Sequence, residues 1–345
     1  MKQLNGLDTM FMALDTAVTS GVLGGLVLYD PPAEGSRGPD EAFMRARITE
    51  RLEVIPPLRW VKVKVPLGMD HDYVAEAHAV DVHAHVHTIR IPEPGTEAEL
   101  AKEVSRLKST PLPQDRPLWD YWILEGLADG RTAHLLRIHH GVLDGGSMPI
   151  LWDLLSDEPA TQIDPAWRRK PGLEPRFGTA EMAVRGVVGN VLRPLRFAGY
   201  NAKMTKWTIQ NTRRDAGTTM PAVFTRLTPG ILAKPAAGLL NLRQRRADQP
   251  EVMPLLPRLK GPATPFNQKV THRRNFVFTD FSLDELKAAG KPFGATLNDV
   301  VVAVCAGGVR RFLQRLGGSV DQPLVLCVPV GLRDPKKPFK WGNEV

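Results

Sequence analysis

Arg137-Ile138-His139-His140-Gly141-Val142-Leu143-Asp144-Gly145-Gly146-Ser147 is the stretch that decides how the chain is read. It closes an apolar run, Ala133 to Ile138, with the length and branching of a buried strand. On such a strand Leu136, Ile138 and His140 share one face, and His139 points to the other. The glycines let the chain turn sharply. Ser147 is placed to cap a helix over Met148 to Leu155, with Pro149 in its first turn. A histidine at a strand end, an acid four residues on and a helix start nearby suit a general-base site. The imidazole titrates near neutrality, and a carboxylate or backbone partner can fix its tautomer. The competing reading is a satisfied core histidine beside a turn aspartate.

Outward from that stretch, 345 residues are enough to bury a large core and to form two domains. Cys305 and Cys327 lie far apart without CxxC spacing, which argues against a disulfide framework or a thiolate metal site. The opening Met1-Lys2-Gln3-Leu4 lacks a signal peptide's apolar stretch, and no later run is long enough to span a bilayer, so a reducing cytoplasm is expected. Charge is uneven. Residues 166–274 hold 21 Lys or Arg against 5 Asp or Glu, so with a net charge of +8 the rest of the chain stands at −8. Such a block fits a membrane surface, nucleic acid or the phosphates of a cofactor. No nucleic-acid motif accompanies it, so no nucleic-acid partner is expected. The bland alternative is a solvated linker.

Upstream, Gly24 to Tyr29 reads as a strand stopped by Pro31-Pro32, and Glu41 to Arg51 as a helix with Phe43, Ile48 and Leu52 turned inward. Pro56 to Trp60 leads in extended form to a strand over Val61 to Val65. Val82 to Arg90 reads as a strand carrying His83, His85 and His87 on one face; a solvent-facing strand is preferred to a zinc or copper site there, and no metal is expected. Glu97 to Leu107 is a helix with a Leu100, Val104, Leu107 stripe. From about Asp164 short apolar patches alternate with Arg, as in Ala183 to Leu192, which suits a segment lying on an anionic membrane or a crossover between domains. Downstream come a strand over Arg274 to Phe278, a helix start at Ser282 and a second at Thr296. The inward stripe of that last helix is Leu297, Val300, Val301, Val304, Cys305, Gly308 and Phe312, and a buried strand follows over Leu324 to Val330.

His139-His140-Gly141-Val142-Leu143-Asp144-Gly145 resembles the HHxxxDG motif of the CoA-dependent acyltransferase superfamily, which includes chloramphenicol acetyltransferase, condensation domains and the bacterial wax ester synthase/diacylglycerol acyltransferases. The Leu7-Asp8 opening, Pro117-Leu118-Trp119, Glu125-Gly126-Leu127, Leu297-Asn298-Asp299-Val300, Val328-Pro329-Val330-Gly331-Leu332-Arg333 and Trp341-Gly342-Asn343 resemble the last of these, the lipid-synthesising branch. The resemblance implies a mixed α/β, two-domain chloramphenicol acetyltransferase-like fold. Its parts would be an N-terminal acyltransferase domain over 1–165, a basic crossover over 166–265 and the beginning of a C-terminal domain over 266–345, shortened at Val345. Either the product is then shortened and inactive, or a partner chain supplies the remainder.

The implied chemistry is fatty acyl transfer from acyl-CoA, a substrate rather than a bound cofactor, to diacylglycerol or a long-chain alcohol. His140 is the expected general base, acting directly because a thioester is already activated. His139 is expected to support the backbone, a direct chemical role being the alternative. Asp144 is expected to pair with Arg333, and N–H groups around Gly145 or Gly146 to stabilise an oxyanion. Asn298 and Asp299 would line a tunnel floor or simply cap a helix. The expected setting is cytoplasmic, peripheral to the inner membrane or lipid bodies. The rivals are a shortened, inactive lipid- or acyl-CoA-binding homologue, an acyltransferase with another acceptor, and a metal hydrolase using His139, His140 and Asp144. Adjacent histidines on a strand point to opposite faces, which disfavours the last.

Overall fold

Strand pairing organises the first half of the chain. The computed structural model describes residues 1–16, 18–35, 38–169, 178, 180–192, 199, 262–318, 320–326 and 339–343. It divides into two units, one of Met1–Val191, Lys269–Asp280 and Pro329–Val345, the other of Leu192–Gln268 and Phe281–Val328.

The first unit is built on a four-stranded sheet with the order β2 (Val22–Tyr29), β7 (Thr132–His139), β6 (Trp119–Glu125), β5 (Val86–Arg90). β7 is central and antiparallel to both neighbours, Ile138 facing Leu23 on one side and Trp119 on the other. β5 and β6 run parallel, which requires a crossover, and helix α3 (Glu97–Lys108) provides it. α3 starts with a Thr96/Glu99 capping box and buries Leu100, Val104 and Leu107 as expected, worth about 1.5–3 kcal/mol each. Together with Leu124, Ala133 and Leu135 they form a core on one face of the sheet. The opposite face carries the larger core, closed by α2 (Glu41–Arg51) and α4 (Met148–Leu155). A small antiparallel sheet of β1 (Lys2–Gln3), β4 (Tyr73–Glu76) and β3 (Trp60–Val63) completes this unit's strands among the described residues. Arg137 is buried on β7 and held by Asp120 of β6 (Nε to Oδ1 2.8 Å) and by the carbonyls of Leu107 and Thr110, which ties the sheet to the end of α3.

Helix α5 spans residues 180–192. Its face of Met182, Gly186 and Gly189 is buried, and a Cβ on Gly186 would stand 2.9 Å from Val65 and 3.0 Å from Met69, so only glycine permits the approach. In the second unit, α6 (Leu283–Gly290) and α7 (Leu297–Arg315) are capped by Ser282 and Thr296, and the pair is bent by 97°. Among the described residues no single helix is long and apolar enough to cross a membrane.

Several expectations change. Val82–Ala84 is a 3-10 turn, so His83, His85 and His87 do not share a strand face; His85 is buried, stacked on Trp119 and bonded through Nδ1 to the Trp119 carbonyl at 2.7 Å. Phe43 is exposed and Met44 buried in its place, four residues before Ile48, while Ile48 and Leu52 are buried as expected. Pro56–Arg59 is likewise a 3-10 turn, with β3 starting at Trp60. Residues 274–278 form no strand. Their amides go to hydroxyls of α3 and its cap, Arg274 N–H to Ser109 Oγ at 2.8 Å and Phe276 N–H to Ser105 Oγ at 2.7 Å. The stripe expected to face inward on α7 is open to solvent at Leu297, Val301, Val304, Cys305, Gly308 and Phe312, because periodicity locates an apolar face without saying what covers it. Leu324–Leu326 is exposed and not in a strand; Cys327 and residues 328–330 lie outside the described residues.

Candidate active site

α1 (Gly6–Ala13) is short, and it packs against the HHGVLDG loop through Phe11 and Met12. Asn5 caps it, its side chain accepting from the Asp8 N–H while Asp8 accepts from the Asn5 N–H. Asp8, Phe11, Met12 and Asp15 are spaced as one helical face, with Asp15 just past the helix end. That face meets the paired histidines.

His139 ends β7 and is fully buried. Its Nδ1 accepts the Gly141 N–H at 2.9 Å, so the ring proton sits on Nε2 and is donated to Asp15 Oδ2 at 3.0 Å. Asp15 also accepts the Gly21 N–H at 2.8 Å. Partial burial raises the Asp15 pKa, but these hydrogen bonds outweigh it and hold the carboxyl below its ordinary value.

His140 is half-buried, and its ring stacks on Phe11 with centroids 3.6 Å apart and planes 14° from parallel. Neither ring nitrogen is hydrogen-bonded among the described residues, and Nδ1 is enclosed. The His140 N–H donates to the Gly21 carbonyl at 2.7 Å, continuing the β2–β7 pairing by one residue. Gly141 follows because a Cβ there would stand 2.7 Å from Met12 and 3.0 Å from the Asp8 carbonyl.

Asp144 is buried and caps the turn Gly145–Ser147; its Oδ1 accepts from the Ser147 N–H at 2.8 Å and from the Ser147 hydroxyl at 2.5 Å. Ser147 therefore makes no side-chain cap for α4, contrary to expectation: its hydroxyl donates to Asp144, and Asp144 does the capping one turn earlier. Gly145 and Gly146 are exposed at this turn. Arg333 lies outside the described residues. Asn298 and Asp299 belong to the second unit, where both are exposed; Asp299 closes the capping box of α7, accepting the Thr296 N–H at 2.8 Å, and its pKa is lowered by the Thr296 hydrogen bonds.

Sequence reading missed Asp8, Phe11, Asp15 and Asn343 as contributors. The first three had a signal, the helical spacing of polar and aromatic residues after a capping asparagine. Asn343 had only its place in a motif: it is buried, and its Nδ2 donates to the His140 carbonyl at 2.6 Å.

A family model for the wax ester synthase/diacylglycerol acyltransferase catalytic domain matches residues 4–301. A Mycobacterium tuberculosis protein named as a diacylglycerol O-acyltransferase is 30% identical over 341 residues, covering 97% of this chain and 59% of the relative. A second of that name from the same species is 27% identical over 351 residues, with 99% and 66% covered. The solved wax ester synthase/diacylglycerol acyltransferase of Marinobacter aquaeolei VT8 superposes with a TM-score of 0.57 at 22% identity, over 96% of this chain and 65% of that one, so the mixed α/β acyltransferase fold is shared. The chain thus spans about three fifths of the length of the first of these relatives. With the model match running from Leu4 through the paired histidines to Val301, the chain belongs to the wax ester synthase/diacylglycerol acyltransferase family.

Proposed function

We propose that the protein is an O-acyltransferase that moves a fatty acyl group from acyl-CoA to diacylglycerol or a long-chain alcohol, with His140 as general base. One observation carries the choice of residue. His85, His134 and His139 each have a ring nitrogen bonded within the protein, whereas His140 is held by stacking and has neither nitrogen engaged among the described residues. With Nδ1 enclosed, Nε2 is the atom left to meet a substrate. It takes the acceptor's hydroxyl proton as that oxygen attacks the thioester carbonyl. The tetrahedral intermediate then expels the CoA thiolate, which recovers the proton from the imidazolium. N–H groups at Gly145 or Gly146 are the candidates to hold the oxyanion. His139, with both nitrogens engaged, fixes the loop, and Asp144 shapes the turn with Arg333 as the partner suggested by the family.

The proposal includes an anionic lipid surface as the place of reaction. Val184, Val187, Val188 and Val191 recur at helical spacing on the outer face of α5 and are 63%, 53%, 51% and 71% exposed. Leu67, in the loop between Val65 and Met69 that meets Gly186, is 95% exposed and held at φ 57, a conformation a leucine rarely adopts. The surrounding sequence is the basic block.

One assay addresses both parts. Protein is given acyl-CoA with hexadecanol or diacylglycerol in vesicles containing phosphatidylglycerol, and thiol release is followed. His140→Ala should lower it by about 10²–10⁴-fold with the fold intact; undiminished release would overturn the base assignment. Acyl-CoA binding without any turnover would favour the non-catalytic homologue. In the same tubes Val187→Asp with Val191→Asp should cut vesicle sedimentation; unchanged sedimentation rejects the lipid surface.

A further inference from the structure

His140 is placed by two backbone hydrogen bonds, and both lead to one carboxylate. Its own N–H donates to the Gly21 carbonyl at 2.7 Å. The next N–H along, that of Gly141, donates to His139 Nδ1 at 2.9 Å. These belong to the two peptide units that meet at the His140 Cα, so pinning both fixes φ and ψ of the base. Asp15 holds the far end of each arm. Its Oδ1 accepts the Gly21 N–H at 2.8 Å, and its Oδ2 accepts the His139 Nε2–H at 3.0 Å.

The two arms use the acid differently. The Gly21 arm is one of close approach: a Cβ there would stand 2.8 Å from the Phe11 carbonyl and 3.0 Å from the His139 ring, so glycine alone fits. The His139 arm is one of protonation. A neutral imidazole carries one N–H and one bare nitrogen. His139 can accept from Gly141 only while its proton sits on Nε2, and the acceptor that keeps it there is Asp15. The ring is buried, so an Nε2–H deprived of that acceptor would shift it toward the other tautomer by roughly 10–100-fold. An Nδ1–H would then face the Gly141 N–H, donor against donor.

We propose that Asp15 is a positioning residue for His140: one carboxylate fixes both peptide units of the base, through Gly21 on one side and through the His139 tautomer on the other. His139 transmits position and moves no proton. The assignment rests on the general-base reading given above, and its test lets the two fail separately.

The test joins nitrogen NMR of the ¹⁵N-labelled full chain, with His139 assigned through its backbone, to steady-state kinetics of thiol release. In the wild type the neutral His139 ring should carry its proton on Nε2. Asp15→Ala should raise the Nδ1–H form about tenfold or more and speed hydrogen exchange at the His140 and Gly141 amides. It should lower kcat by roughly 10–100-fold with KM within about twofold. Asp15→Glu keeps both carboxylate oxygens and should restore the Nε2–H tautomer and most of the kcat. Unchanged tautomer and exchange in folded Asp15→Ala overturn the proposal, as do an unchanged kcat, an effect on KM alone, or a folded Asp15→Glu no more active than Asp15→Ala. A wild-type His139 protonated on Nδ1 overturns it without any variant. Should Asp15→Ala fail to fold, the wild type and Asp15→Glu decide, since both must show Nε2–H. If thiol release persists in His140→Ala, the general-base reading falls whatever the His139 spectra show.

Discussion

Helices α1 and α7 begin alike and end up in opposite circumstances. Each opens with a capping box, Asn5 with Asp8 in one and Thr296 with Asp299 in the other. Around Asp8 the chain has closed: it is 1% exposed and receives the amide of Asn343, 335 residues away. Around Asp299 it has not, and among the described residues its side chain bonds only Thr296, within the capping box. α1 likewise sets Phe11 against His140 and Met12 into the core, while α7 leaves Leu297, Val301, Val304 and Phe312 between 41% and 48% exposed. A cap is decided by four neighbouring residues. Its importance is decided by what arrives from elsewhere in the chain.

The contrast can be broken by two matched substitutions. Asp8→Ala removes the carboxylate half of the capping box, leaves the Asn5 N–H without its acceptor and strands the buried Asn343 donors, so about 2–4 kcal/mol of stability should go. Asp299→Ala removes only the carboxylate half of the box and leaves the Thr296 cap, about 0.5–1 kcal/mol. Urea melts of the two variants measure this, and equal losses would erase the distinction between the helices.

Burial in the first unit also carries a pH signature. His134 on β7 is fully buried, bonds Tyr121 through Nδ1 at 2.7 Å, and has its pKa lowered to about 4 because burial disfavours the charged ring. The unfolded chain takes up this proton as pH falls through about 6.5, and the folded chain does not until about 4. Stability therefore declines across that window as acid is added, by at most about 3 kcal/mol. His134→Phe should be less stable at neutral pH, where Tyr121 loses its partner, yet should lose less on acidification. Melting curves at pH 7, 6, 5 and 4.5 check it; parallel decline of both proteins would mean His134 is not the sensor.

What could be read from the chain before its structure follows the same division. β7, α3 with its Leu100, Val104, Leu107 stripe, and the caps of α6 and α7 are written in adjacent residues, and all are present. His140 at the tip of β7 was equally legible, since strand period and turn glycines place it. The three-histidine strand was not, because Asp81 accepts the His83 N–H and turns Val82–Ala84 into 3-10 geometry that alternation cannot foresee. The reach of Asp15 to His139 crosses 124 residues and that of Asn343 to His140 crosses 203, beyond any local pattern. The burial of the α7 stripe was misjudged for the reason its caps were not: capping needs only neighbours, burial needs a partner.

That last point yields the smallest and sharpest expectation. Val104 on α3 and Val301 on α7 both sit in apolar stripes at helical spacing, at 0% and 44% exposure. Trimming Val104 to alanine removes buried methyls and leaves a void, and should cost about 2 kcal/mol. Val301→Ala removes half-solvated methyls and exchanges a β-branched residue for the best helix former, two small effects of opposite sign, so the change should stay within about 0.5 kcal/mol. Thermal melts of the pair read the difference directly. A loss for Val301→Ala as large as that for Val104→Ala would mean that the α7 face is covered in the protein in solution. The contrast between the two helices would then be one of sequence distance alone, with burial common to both.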